Sequence, residues 1–242
     1  MSVHEILKVC HSLRSNFSTS SLYNSREREF VAYVVQNAHL SSSQLFQDLW
    51  VLFNTREKKD GYFVEFGACD GEKLSNTILL EKIFGWDGAV AEPCKEWHDK
   101  LYNSRSCYIS SKCIFSQTGH ILEFNQTSDP ALSTLETFTS CDHHATLRES
   151  GLRYPVETIT LEDFLIEAKS PKIIDYMSID TEGSEIDILL SFDFSKYDIG
   201  LISIEHNYTK QRREIFDLLS KNGYRRVFAN FSDFDDWYIK TK

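Results

Sequence analysis

An acid-ended strand, a glycine turn, a helix and a second acid-ended strand follow one another within Tyr62–Glu92, YFVEFGACDGEKLSNTILLEKIFGWDGAVAE. The apolar run Tyr62-Phe63-Val64-Glu65-Phe66 leads into Gly67-Ala68-Cys69-Asp70-Gly71, and Ile78, Leu79, Leu80 and Ile83 then share one helical side. A second run, Ala89-Val90-Ala91, closes on Glu92. Strand, glycine turn, helix, strand and acid make half of a nucleotide-binding α/β unit.

The downstream chain repeats that alternation. Ile173–Asp180 reads as a buried strand ending on an acid, Thr181–Glu185 as a turn and Ile186–Leu190 as a helix. Ile199–Glu205 is the next strand, ending in Glu205-His206-Asn207, and Arg212–Asn222 is a helix closed by Gly223. Tyr224–Phe228 and Trp237–Ile239 make a final antiparallel pair. Between the two halves, Glu96–Tyr102 reads as a helix, with strands expected at Cys107–Ser110, Ile114-Phe115, Ile121–Phe124, Ala131–Leu135 and Val156–Ile159. Thr160 is placed to cap a helix with Asp163 in its first turn. Residues 126–153 are polar and irregular, a candidate lid or substrate loop. Such alternation predicts an α/β fold with a mostly parallel sheet covered by helices on both faces. Residues 1–60 form an N-terminal helical extension, with faces at Ile6, Leu7, Cys10 and Leu13, at Phe30–Ala38 and at Ser43–Leu52, ahead of a domain over 61–242.

With 242 residues, 41% of them hydrophobic, the chain can bury one full core. The net charge of −10 argues against nucleic acid as the main partner. No apolar run spans a bilayer and no secretory signal opens the chain. The six cysteines form no C-x-x-C pair, which reads as reduced thiols in a cytoplasmic protein. The sequence does not set the oligomeric state and is compatible with a homo-oligomer.

Ligands of open α/β sheets bind beyond the carboxyl ends of the strands. Four strands here end on polar residues: Glu65 with its turn, Glu92, Asp180 and Glu205-His206-Asn207. Acids there are costly unless solvated or paired, so an aqueous cleft is expected. Gly67 and Gly71 let the backbone approach a ligand, or make an ordinary tight turn. The spacing is G-x-x-x-G, with Cys69 where a dinucleotide fingerprint has its second glycine, which disfavours a nicotinamide oxidoreductase. Glu92 stands where an acid accepts from ribose hydroxyls, unless it is a solvated loop acid. If the strands of Asp180 and Glu205 are neighbours, about 4.8 Å apart, the two carboxylates must share a proton or a cation, or splay. A divalent ion, Mg or Mn, with oxygen ligands from Asp180 and Glu205 settles both charges. His206 joins them only if the strand has already ended, because neighbouring strand residues face opposite ways; otherwise it is a core histidine. As a base its pKa range is the more suitable. Cys141, His143, His144 and the nearby His120 match no standard zinc spacing.

The stretches SSSQLFQDLW, GYFVEFGACDGEKLSNTILLEKIFGWDGAVAEP, ITLEDFL and MSIDTEGSEIDIL together resemble the FkbM-type S-adenosylmethionine-dependent methyltransferases. The resemblance implies the Rossmann-like class I methyltransferase fold, a seven-stranded sheet with one antiparallel strand, and an O-methyltransferase acting on sugars or other hydroxyl-bearing compounds. It implies that Glu65, Gly67, Ala68 and Gly71 line the methionine and ribose parts of the cofactor, that Glu92 holds the ribose diol, and that Ser75, Asn76 and Thr77 close the site. Gln44, Gln47 and Asp48 match the family's S-Q-x-x-Q-D run. They thereby join the cofactor residues, where spacing alone gave them only the solvated face of an amphipathic helix. Asp180, Glu182 and Gly183 match its D-x-E-G turn near the transferred methyl, and the family places an acid at Glu205.

The expected reaction is methyl transfer to a sugar hydroxyl of a small-molecule acceptor, a nucleotide-activated sugar for surface polysaccharide, with Asp180, Glu205 and His206 as catalytic and metal-binding groups. A hydroxyl must be held about 3 Å from the methyl and relieved of its proton, by a base or with the help of a cation. The alternatives are metal-free O-methyl transfer and a methyltransferase fold kept for binding alone.

Overall fold

The computed structural model describes residues 25–241. The helix expected from Ile6, Leu7, Cys10 and Leu13 lies outside the described residues.

Seven strands form the main sheet in the order β3-β2-β1-β8-β9-β11-β10. They are β1 (Tyr62–Phe66), β2 (Asp87–Ala91), β3 (Tyr108–Ser110), β8 (Ile173–Ile179), β9 (Asp198–Glu205), β10 (Tyr224–Val227) and β11 (Asp235–Lys240). All run parallel except β11, which is antiparallel to both β9 and β10. These are the seven strands, one of them antiparallel, that the resemblance implies.

The near-continuous apolar runs are needed because both faces are buried. Val64, Phe66, Ala89, Ala91, Met177 and Ile179 face one core, with Leu161, Phe164 and Ile188 from covering helices. Phe63, Val90 and Tyr176 face the other, with Phe30, Leu49, Trp50, Leu80 and Trp237. The helices Ser25–Asn37 (α1) and Gln47–Thr55 (α2) thus lie on the sheet rather than apart from it. Leu49 to Leu52 are at most 1% exposed.

Helix α2 begins four residues later than the hydrophobic spacing suggests. Phe46 sits at φ 64°, and the Asp48 carboxylate accepts from the Ser41 hydroxyl and the Ser42 amide. These local side-chain bonds offer the backbone an alternative to the first helical turn. Similarly, the expected helix Glu96–Tyr102 opens with a 3-10 turn, Lys95–Trp97, before α4 (His98–Ser104), which follows α3 (Ile78–Phe84).

A second, four-stranded sheet has the order β4-β7-β5-β6, from β4 (Cys113–Ile114), β5 (Ile121–Gln126), β6 (Thr134–Leu135) and β7 (Leu152–Ile159). Strand β7 starts four residues before the expected Val156. Pro155 is tolerated because β4 pairs only Thr158 and Ile159, leaving that edge of β7 unpaired at the proline. Of the expected strand Ala131–Leu135 only β6 forms, since Pro130–Leu132 makes a 3-10 turn. The short helix Ala145–Arg148 (α5) completes the segment between β6 and β7.

The remaining helices are α6 (Leu161–Glu167), α7 (Glu185–Leu190) and α8 (Gln211–Lys221). The Thr160 hydroxyl accepts from the Asp163 amide at 3.1 Å, capping α6 as its sequence predicts. Thr160→Ala is expected to cost about 1 kcal/mol, lowering Tm by about 2–4 °C in a melt followed by circular dichroism.

Candidate active site

The carboxyl ends of β2, β1, β8 and β9 and the start of β11 form one row above the sheet. They carry Glu92, Gly67, Asp180, Glu205 and Asp235 in that order, and Ile179 pairs with Ile204 while Asp235 pairs with Glu205. Over the row opens a cavity of about 510 Å³, within the range of small-molecule sites. All five residues line it.

Gly67 brings the first strand against the acidic row. It has φ +80°, and a Cβ there would fall 1.7 Å from the Asp180 carbonyl oxygen. Its amide donates to the Ala91 carbonyl. Beside it, the Glu92 carboxylate accepts the amides of Cys69 (2.8 Å) and Cys94 (2.7 Å). Burial raises Glu92 to about 7. These bonds aim the carboxylate across the glycine turn and leave it lone pairs for hydroxyl donors.

Glu65 is spent elsewhere. It accepts from the Ser75 and Thr77 hydroxyls and the Asn76 amide, and pairs at 3.2 Å with Arg105, whose side chain is fully buried. Arg105 also binds Glu81, Thr77 and the Gly71 carbonyl. Glu65, Gly71 and Thr77 therefore lie behind the cavity wall as the frame of the turn, while Gln44, Gln47, Gly67, Ala68, Ser75, Asn76 and Glu92 are on the wall. Asp48 is behind it too, held by Ser41–Ser43.

Asp180, Glu182 and Glu205 each offer a carboxylate oxygen within 4.8 Å of the others. Among the described residues this is the one group of three or more such side chains with that spacing. Burial, and then neighbouring carboxylates, push Glu182 and Glu205 well above the usual carboxylate range; burial also raises Asp180. Asp235 is raised to about 8, chiefly by burial, although Gln47 donates to it at 2.8 Å. Such a group needs shared protons or a cation.

Glu182 is brought in by a strained turn, with φ 58° at Glu182 and 124° at Gly183. The fully buried Arg148 donates to Glu182 (2.8 Å), to Asp142 (3.0 Å) and to the Leu132 carbonyl (2.9 Å). Asn207, at φ 42°, donates to Glu205 (2.8 Å) and Glu182 (3.3 Å). The polar segment 126–153 is thus clamped onto the acidic turn. Cys141 lies beside Asp142 and the Glu182 carbonyl, with the His143 and His144 rings 3.9 Å apart and tilted by 44°.

His206 faces the opposite way from Glu205 and does not line the cavity. Its Nδ1 accepts the Tyr208 amide, and Nε2, without a hydrogen-bond partner, is 3.8 Å from Asp236, which Arg212 and Arg226 hold. Burial and then Arg212 lower its pKa, which keeps it neutral. The alternation of strand side chains still applies at this position, so His206 supports the Tyr208 backbone from behind.

Sequence reasoning placed Glu182 near the reaction but not among the site residues, and did not single out Asp235, Arg105 or Arg148. The only signal for Asp235 was its place in the acidic run Asp233–Asp236; the arginines carried none.

The raised carboxylates set a pH dependence. Groups protonated in the fold and ionised when unfolded contribute stability fully below the ordinary carboxylate range and lose it as pH rises through their folded values. Glu92 and Asp235 lose it up to about pH 7 and 8. The lowered histidines His144 and His206 act in the other direction, and their effect is complete by about pH 6.5–7. The ligand-free protein is therefore expected to lose about 3–5 °C of Tm per pH unit for each such carboxylate below its folded value, from Glu92 and Asp235 together up to about pH 7 and from Asp235 alone between about pH 7 and 8, measured by scanning calorimetry.

A family model described as "Methyltransferase FkbM domain" matches residues 65–226. A search of curated proteins finds no match. Solved structures similar to the chain include the O-methyltransferase from Bacillus cereus in complex with SAH, 14% identical over 94% of each chain, TM-score 0.42. Another is the TehB-like SAM-dependent methyltransferase from Corynebacterium glutamicum, 9% identical over 90% of this chain and 100% of that one, TM-score 0.43. A third is precorrin-6y C5,15-methyltransferase from Geobacter metallireducens, 10% identical over 74% and 71%, TM-score 0.39.

Proposed function

Because the chain belongs to the FkbM family of S-adenosylmethionine-dependent methyltransferases, we propose that it methylates a hydroxyl of a sugar-type small molecule, with Asp180, Glu182 and Glu205 holding a divalent cation, Mg or Mn, beside that hydroxyl. The carrying observation is the row of strand-end carboxylates next to the Gly67–Glu92 cradle. The same reading treats 1–60 as an extension to a catalytic domain over 61–242.

The cradle fits the cofactor. Gly67 lets β1 close against the Asp180 carbonyl at the cavity wall, and Glu92 keeps acceptor capacity beside it. Gly67 and Ala68 would take the methionine end, Glu92 the ribose diol, and Gln44, Gln47, Ser75 and Asn76 the facing wall. When bound, the cofactor supplies an electrophilic methyl. The chain's residues do the rest. Asp180 and Glu205 orient the acceptor oxygen, and the first of them to ionise takes its proton. A cation among the three acids would lower the hydroxyl pKa and offset charges that are otherwise buried. Asn207 bridges the Glu182 and Glu205 carboxylates, and His206 fixes the loop behind them.

A labelled-methyl transfer assay over a panel of sugars, with the protein stripped in EDTA and then given magnesium or manganese, tests this. Activity is expected to fall on stripping and return with metal. Full activity in EDTA sinks the cation; failure of S-adenosylhomocysteine to bind in calorimetry sinks the enzyme and restores the reading of a binding module.

A further inference from the structure

Asn207 and Tyr208 are consecutive left-handed residues, at φ 42° and 56°. Asparagine tolerates that backbone, but a bulky aromatic residue is strained in it, and such strain persists only where the surroundings fix it. Here they do. The His206 and Asn207 amides donate to the Phe234 carbonyl, the Thr209 amide to the His206 carbonyl, and the Tyr208 amide to His206 Nδ1. The Tyr208 hydroxyl donates to Asp233, and its ring meets the His206 ring at 5.4 Å and 73°. A ring held this firmly is expected in a core, yet Tyr208 is 63% exposed and lines the cavity.

The phenol is spent on Asp233, so what Tyr208 offers a ligand is the apolar face of its ring. Its place along the row of strand ends decides which ligand. The row runs from Glu92 after β2, through Gly67 and Asp180, to Glu205 at the end of β9. With strands about 4.8 Å apart, three steps put about 14 Å between Glu92 and Glu205. Asn207, the residue before Tyr208, bridges Glu205 and Glu182. The ring therefore stands at the acceptor end, away from the cofactor's ribose and base.

Resting on the methyl-transfer reading above, we propose that Tyr208 is the acceptor's stacking platform, taking the C–H face of a pyranose ring while the strand-end acids take the hydroxyls on its edge. A pyranose presents both surfaces at once. Hydroxyl donors round its rim suit carboxylate acceptors, and the C–H patches on its faces suit the face of an aromatic ring. An open-chain polyol has the same hydroxyls without the face. The two-residue turn joins these functions. Asn207 sets the acids and Tyr208 sets the sugar ring, so their relative placement decides which hydroxyl faces Asp180.

The test is a proton magnetic resonance titration with methyl β-D-glucopyranoside, and with glucitol as the open-chain control, with and without saturating S-adenosylhomocysteine. The glucoside is expected to bind about tenfold or more tightly than glucitol, with the C–H protons of one ring face shifted upfield together by the aromatic ring current. Tyr208→Phe keeps the face and should bind the glucoside within about threefold of wild type. Tyr208→Gly removes it. That variant should lose about tenfold in glucoside affinity, lose the upfield shift, and bring the two probes within about threefold of each other. Glycine takes this φ without strain, so its Tm should hold within about 3 °C and its S-adenosylhomocysteine affinity within about twofold. No binding of the glucoside, equal binding of glucitol, or an unchanged glucoside affinity in Tyr208→Gly overturns the proposal. So does a glucoside loss matched by an equal loss of S-adenosylhomocysteine affinity or by a larger fall in Tm, which would make Tyr208 a structural residue. Wild-type protein that fails to bind S-adenosylhomocysteine counts instead against the methyltransferase reading, while the titrations without it still decide the stacking.

Discussion

Gly67→Ala is expected to abolish S-adenosylhomocysteine binding and to destabilise the protein by about 2–5 kcal/mol. Two costs combine. An L side chain at φ +80° is strained, and its Cβ would press on a backbone oxygen, that of Asp180, which cannot swing away as a side chain could. Relief requires β1 and β8 to separate at their carboxyl ends, which moves Asp180 itself. Gly119 gives the control. It has the same φ of +80°, but nothing lies within 4 Å of its missing Cβ. Gly119→Ala should therefore show only the strain, about 1–2 kcal/mol, and leave cofactor binding intact. Calorimetry and melts of the two variants separate the effects, and equal losses would refute the close-approach account.

Asp180→Asn is expected to lower kcat about 10²–10⁴-fold and, in the same protein, to raise Tm at pH 8. The rise follows from removing a carboxylate that burial and its acidic neighbours penalise when ionised. A drop in activity alone would fit any damaged site. The opposite movement of stability is the diagnostic part, because a site arranged for charge stores that cost in the folded state. A variant that loses both activity and stability at pH 8 would show that Asp180 is a structural acid. Melts across pH 6.5–8 with single-turnover rates decide between them.

The nucleotide-type unit was legible because its signals are local. Glu65, the glycine turn, the helix face at Ile78–Ile83 and Glu92 lie within about one α/β half, and the strand, turn and helix patterns that mark them repeat over a few residues each. The pairing of Asp180 with Glu205 was also readable, since successive strands in a right-handed βαβ unit tend to be adjacent, and they are. What the sequence hid were the partners. Arg105 meets Glu65 across 40 residues and Arg148 meets Glu182 across 34, with no periodicity to mark either. For His206 a single residue decided the outcome. The side-chain alternation of β9 carries past its last residue, and the ring faces Asp236 instead of the cavity. The Ser41–Asp48 bonds were likewise invisible to hydrophobic spacing, which extended α2 too far back.

Arg148 makes the polar segment and the acidic turn a single cooperative unit. Its side chain leaves α5, crosses to Glu182 and takes up the Leu132 carbonyl on the way, while its own carbonyl accepts from Asn125 on β5. Opening the segment alone would leave a buried guanidinium and a buried carboxylate without each other, so the two elements open together or not at all. For evolution, this separates two kinds of change. The rim at 129–133 and 143–144 can vary to suit a new acceptor, whereas a loop graft that omits the arginine would disarm the turn before it ever met a substrate.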